Sequence, residues 1–223
     1  MTEAETHGNG RPWLGVALIA ALCGGTLRLL FADQGLWADE VQSVELTQSA
    51  THSLLARTGL LDVHPPLYYL LLKGWSHLGG TSDLWMRGFS LFVSALTVGV
   101  FVLWAKEHLS RIALGFAASL LVFSTWHIHY SIEVRSYALL VFLVILLTWR
   151  VERWVAKEQS QPYDLLGIVL LSVATGLTHY YGLFCLIGLN VFVFTHSRVQ
   201  GPRLRRWAAW QGATVALLSW WLP

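Results

Sequence analysis

The 223-residue chain is predicted to be an all-α polytopic membrane protein, and three observations carry that prediction. Hydrophobic residues make up 55% and charged residues 13%, at a mean hydropathy of +0.52, whereas about a quarter of a soluble domain is charged. Seven apolar runs, near 13–31, 88–104, 112–126, 137–149, 165–178, 183–195 and 207–222, recur along the chain. Twelve tryptophans suit many lipid–water interfaces, because the indole ring favours the headgroup level.

Taken in order, the run at 13–31 has about the ~20 residues that cross a bilayer. The stretch before it is polar and acid-containing, without the basic segment and small-residue cleavage site of a signal peptide, so this run is expected to remain as a span. Residues 32–87 are too long for an ordinary connection between helices and too apolar and aromatic for disorder. They are expected to form a catalytic outer loop containing interfacial helices. The Pro65-Pro66 pair fixes the backbone where such a helix starts. Lys73 and His77 in its body mark the segment from His64 to Leu78 as lying on the membrane, not crossing it. Several later runs are shorter than ~20 residues, and their flanking aromatics extend them.

Basic residues set the orientation. Lys106 with Arg111, then Arg150, Arg153 and Lys157, then Arg198, Arg203, Arg205 and Arg206 form three basic connections. Lys- and Arg-rich short loops stay in the cytoplasm. With Arg11 this places ten of the fifteen basic residues inside, and it places 32–87 on the outer face of the plasma (inner) membrane. Cys23 and Cys185 lie inside apolar runs and read as small core residues, not a disulfide. The net charge of +2 says little about partners. Nucleic-acid binding is excluded, because these loops cannot build a basic, aromatic-interleaved surface. With no internal repeat or soluble domain, 1–223 reads as one transmembrane module.

That topology gathers the unusual polar residues on one side. Asp39 and Glu40 follow Trp37 at the start of the loop. Adjacent acids cannot face one point in a regular element, so one is expected at the reaction centre while its neighbour holds the loop. A partly shielded carboxylate can take a proton from a hydroxyl nucleophile; a solvated loop pair is the plain alternative. His64 offers a hydrogen-bonding group beside the acids, or simply precedes a helix start. Arg87 opens the second span, where snorkelling explains it, yet an outer arginine also suggests an anion to neutralise. Between two apolar runs, His127, His129, Glu133, Arg135 and Tyr137 crowd one turn, a place where unpaired charges are costly and usually functional. Arg135 carries the planar fork that suits phosphate oxygens; a simple pair with Glu133 is the plain alternative. The i,i+4 spacing of His129 and Glu133, with His127 or His179 added, leaves a divalent metal as a further reading. His179, beside the belt residues Tyr180 and Tyr181, is a substrate contact or a satisfied histidine.

In this order and on a membrane background, Trp37-Ala38-Asp39-Glu40, His64-Pro65-Pro66-Leu67-Tyr68-Tyr69, Met86-Arg87-Gly88-Phe89-Ser90 and Tyr130-Ser131-Ile132-Glu133-Val134-Arg135-Ser136-Tyr137 resemble the lipid-linked-sugar-dependent glycosyltransferases of the GT-C fold. The likeness is nearest to bacterial relatives of the protein O-mannosyltransferases and of the lipid A aminoarabinose transferase, and it covers about 28–182. It implies a GT-C-like helix bundle that moves a sugar from a polyprenyl-phosphate donor to a protein, glycan or lipid acceptor at the outer face, with membrane lipid as its surroundings. It maps the catalytic base onto Asp39, a supporting acid onto Glu40, and lipid-phosphate contacts onto Arg87 and Arg135. His64, Glu133, Tyr137 and His179 complete the substrate-binding set. The resemblance implies no metal for protein mannosyl transfer, whereas related oligosaccharyltransferases use one. Where eukaryotic mannosyltransferases have an Arg-to-Asp pattern in the second loop, this chain has Glu133 and Arg135. Such families usually continue into further spans, so the chain is expected to represent a shortened module. A non-catalytic lipid-phosphate-binding or assembly subunit on the same scaffold is the second reading. A transporter is a third, with little polar path beyond Arg28.

Overall fold

The computed structural model describes residues 11–60, 64–157 and 161–221. The polar start before Arg11, the Asp62-Val63 pair leading into His64, and the end of the last apolar run at Leu222 lie outside the described residues. Among the described residues the chain is helical throughout, with no strand. The helices are α1 (Arg11–Leu29), α2 (Ala38–Gln48), α3 (Thr51–Leu60), α4 (Leu67–Gly79), α5 (Asp83–Ala105), α6 (Arg111–Phe123), α7 (Thr125–Ser131), α8 (Tyr137–Ala156), α9 (Pro162–Gly176), α10 (Tyr181–Thr195) and α11 (Gly201–Ser219).

Six of the seven apolar runs fall mainly in one helix each, and the run 112–126 is divided between α6 and α7 at Ser124. Two helices, Pro12–Leu29 and Asp83–Ala105, are long and apolar enough to cross a membrane; α6 with α7, bent by 51°, makes up to three. The bend has a local cause: Ser124 leaves helical geometry and its Oγ accepts from the His127 N–H, starting a new helix in a new direction. Helix α4 begins directly after Pro66 and is 13 residues long, about 20 Å, short of the ~30 Å hydrocarbon core.

The helices pack around α5, which touches α1, α4, α6, α7 and α8; α9 then joins α8 to α10 and α11. Three apolar clusters follow from this. One joins α2, α3 and α4 to the first halves of α5 and α8, centred on Leu54, Tyr68, Tyr69, Leu72 and Met86. A second lies where the last turns of α8 meet α9, α10 and α11, around Trp154 and Trp207. A third locks Ala17 of α1 against Val102 and Ala105 of α5 and Leu114 of α6. Outside these clusters the helices present large apolar side chains: Leu18 and Ile19 on α1, Ile112 and Phe116 on α6, Phe184 and Ile187 on α10, each at least 60% exposed. Apolar surface on that scale marks a membrane or a partner, not water. Cys23 is part of this outer surface and Cys185 is half-buried; both are free, so neither is the core residue expected.

Because α5 and α8 run the length of the bundle, about 30–35 Å for 20–23 residues, the molecule has two distinct ends. The basic connections meet at one: Glu107 and His108 after α5, Glu152 and Arg153 in α8, and Arg203 in α11 contact one another or Trp154. Asp39, Glu40, His64, Arg87, Glu133, Arg135 and His179 collect at the other.

Candidate functional site

Five segments converge there: the first turn of α2, His64 before α4, the second turn of α5, the turn 132–136 between α7 and α8, and the turn 177–180 between α9 and α10. Glu40 is their hub. Fully buried, its Oε2 accepts from the Trp37 N–H at 3.1 Å, closing the start of α2, and from Arg87 Nη2 at 2.8 Å. Its Oε1 accepts from the Val134 N–H at 2.8 Å and from Arg87 Nε at 3.4 Å. One carboxylate therefore fixes the α2 start to α5 and to the turn before α8.

Arg87 differs from expectation. Helix α5 starts at Asp83, so Arg87 lies within it and is 4% exposed, not snorkelling to an interface. Its five N–H donors are all committed: two to Glu40, and the others to the carbonyls of Ala32 (3.1 Å), Gln34 and Gly35 (3.0 Å). The clustered carbonyls of the α1–α2 connection and a buried acid surround the cation, so the phosphate contact expected of Arg87 is corrected to a clamp on that connection.

Asp39 is turned the other way. Its side chain is 45% exposed and its Oδ2 lies 3.7 Å from Arg135 Nη2. Arg135, 6% exposed, also donates from Nη1 to the Asp39 carbonyl at 3.3 Å and from Nη2 to His64 Nδ1 at 3.3 Å. The adjacent acids thus divide, one inward onto Arg87 and one outward beside Arg135.

The histidines and tyrosines extend the site. His64 and His179 meet edge-on, ring centroids 4.9 Å apart. His179 Nδ1 accepts from the Tyr181 N–H at 3.0 Å, so the proton of the neutral ring sits on Nε2. Burial, reinforced by the nearby Arg135 guanidinium, lowers the His179 pKa to about 4. Glu133 does not pair with Arg135 among the described residues; its Oε1 lies 3.2 Å from His129 Nε2. Burial raises the Glu133 carboxyl above its ordinary value, opposed chiefly by His129. Tyr137 stacks obliquely between Tyr130 (4.6 Å) and His179 (5.4 Å).

Beside this cluster runs an apolar cleft of about 380 Å³ bounded by Trp126, His127, Tyr130, Tyr137, Leu140 and Tyr181. Tyr181, expected in the aromatic belt, and Tyr130, for which no role was expected, both border this cleft; tyrosines on both sides of the Glu133–Arg135 turn were the available signal. Among the described residues no three His, Cys, Asp or Glu side chains converge as metal ligands. His127, offered as a third ligand with His129 and Glu133, instead turns Nδ1 to Arg28.

Compared with family models, curated proteins and solved structures, the chain matches none.

Proposed function

We propose that the chain is a glycosyltransferase of the GT-C kind that takes a sugar from a polyprenyl-phosphate donor, with the seven apolar runs crossing the plasma membrane, the basic end inside and the Asp39 end outside. The observation that carries this reading is the split of the neighbouring acids: Glu40 is buried and consumed by Arg87, whereas Asp39 is half-exposed at the lip of a buried arginine. Structural ion pairs alone need no open carboxylate.

In the proposed reaction Asp39 takes the proton of an acceptor hydroxyl, the acceptor oxygen bonds to the anomeric carbon, and the bond from that carbon to the lipid phosphate breaks with inversion. Arg135 faces the charge growing on the departing phosphate, and His179 Nε2–H supplies a second, neutral donor. Preorganised charge of this kind is often the largest part of catalysis. Glu40 and Arg87 hold Asp39 in place without touching substrate.

The test is Asp39→Asn in the purified protein, with polyprenyl-phosphate sugar binding and sugar transfer measured side by side. Transfer is expected to fall about 10²- to 10⁴-fold with donor binding retained. Unchanged transfer ends the catalytic assignment. Donor binding with no transfer by either the parent protein or the variant points to the non-catalytic lipid-phosphate-binding subunit.

A further inference from the structure

Arg28 stands apart from the cluster above. It occupies the last turn of α1 and is fully buried. It donates from Nη1 to the Gly24 carbonyl at 2.6 Å, from Nη2 to the Leu121 carbonyl at 3.5 Å, and to His127 Nδ1. Its Nε has no partner, and among the described residues no carboxylate lies within ion-pair distance of it. A cation at a helix C-terminus is favourable, but carbonyls do not neutralise a full charge. A buried cation without an anion is costly, and within a membrane-spanning helix it marks a site.

His127 points to the missing anion. An arginine has only donors, so His127 Nδ1 must accept and the ring proton sits on Nε2. His127 also lines the apolar cleft between α7, α8 and the start of α10. One ring edge is thus held by the Arg28 charge, and the ring offers an N–H donor polarised by it. The cleft is apolar elsewhere, small for a ligand site (~300–1,000 Å³ is usual), and bordered by residues facing outward from the bundle: Trp126, 70% exposed, and Tyr181, 62%.

We infer that this cleft seats an anionic phospholipid of the surrounding bilayer, its phosphate oxygen accepting from His127 Nε2–H under the Arg28 charge and one acyl chain lying along Leu140 and Val141. A phosphate oxygen accepting from an N–H backed by a buried guanidinium makes a charge-assisted hydrogen bond of the stronger kind. Tyr137 borders both this cleft and the Asp39 cluster, but the Arg28–His127 pair that would hold the phosphate takes no part in the proposed transfer, so the lipid site stands whether or not the chain transfers sugar.

The experiment is native mass spectrometry of the delipidated full chain with dioleoyl phosphatidate or dioleoylglycerol, which share their chains and differ in the phosphate. One phosphatidate is expected to be retained about tenfold more strongly than dioleoylglycerol, the effect of one hydrogen bond to a charged group. His127→Phe is expected to erase the preference. His127→Gln, which keeps an acceptor for Arg28 and a donor for the lipid, is expected to preserve it. Equal retention of the two lipids by the parent protein overturns the proposal even if His127→Phe does not fold, and so does an undiminished preference in that variant. A long-chain polyprenyl phosphate that displaces phosphatidate at much lower concentration assigns the cleft to a carrier lipid and overturns it as well.

Discussion

The two ends of the helix bundle handle charge in opposite ways. Where α5 and α8 begin, Glu40 and Arg87 have side chains 1% and 5% exposed, and their bonds reach Ala32, Gln34, Gly35, Trp37 and Val134. Where those helices end, the Arg153–Glu107 pair is 56% and 32% exposed at 3.5 Å, and the His108–Glu152 pair 49% and 31% exposed at 3.2 Å. The acid–base vocabulary is the same, but burial separates the consequences. Partners removed from water cannot be replaced by solvent, so the first end is a rigid frame in which one acid, Asp39, is left open. At the second end Asp164 alone among the described acids is buried, accepting from Lys157 Nζ at 2.9 Å and from the Gln161 N–H at 3.0 Å; the pairs of Glu107 and Glu152 are wet, exchangeable contacts compatible with simple orientation of the chain.

The largest effect expected from this contrast is at Glu40. In Glu40→Ala the Arg87 guanidinium stays buried without its counter-charge, and the N–H groups of Trp37 and Val134 lose their acceptor. Losing one partner of a buried pair costs about 3–5 kcal/mol, and thermal unfolding in detergent is expected to show a loss on that scale. Because Glu40 holds α2 in place, any sugar transfer is expected to disappear with it. Asp39→Asn, by contrast, is expected to leave the unfolding transition near that of the parent, since Asp39 is exposed and its carbonyl contact with Arg135 persists. If the two variants unfold alike, the division of labour between the neighbouring acids is wrong.

A smaller effect, readable by pH, concerns the His64–His179 side of the same end. Folding lowers the His179 pKa from 6.5 to about 4, so the folded state favours the neutral ring. Sign matters here: above pH 6.5 both states hold the ring neutral and nothing is lost. As pH falls from 6.5 towards 4 the unfolded chain takes up a proton that the folded one refuses, and stability declines. Melting temperature recorded across that window is expected to fall less steeply in His179→Asn than in the parent. An unaltered slope removes His179 from the buried cluster.

Much of this was legible in the sequence, and the exceptions share one cause. Apolar runs gave the helices; Pro65-Pro66 marked the start of α4; the impossibility of two adjacent acids facing one point anticipated that Asp39 and Glu40 would diverge. Helix ends were less visible. Helix α8 continues beyond Trp149 to Ala156 because Glu152 accepts from Trp104 Nε1 at 2.6 Å and Arg153 reaches Glu107, partners more than forty residues away. Arg87 read as an interfacial arginine because three carbonyls of the α1–α2 connection, more than fifty residues upstream, cannot be predicted to cluster around it. Arg28 and His127 are 99 residues apart and neither spacing nor composition joins them. Local chemistry was readable, whereas satisfaction of a buried charge by distant backbone was not.

The least effect belongs to the wet end. Arg153 lies over Trp149, its guanidinium carbon 5.1 Å from the ring centroid, and Trp149 Nε1 donates to Glu107 Oε1 at 3.3 Å. In Glu107→Gln the amide oxygen can still accept from Trp149, and Arg153 keeps its place over the ring, so only the exposed charge pair is lost. Such pairs contribute about 0.2–1 kcal/mol and are weakened by salt. Unfolding of this variant in detergent is expected to differ little from the parent at low ionic strength and not at all near 1 M salt, where the screening length falls to ~3 Å. A loss as large as that of Glu40→Ala, persisting in high salt, would show that both ends are rigid frames and that burial is not what distinguishes them.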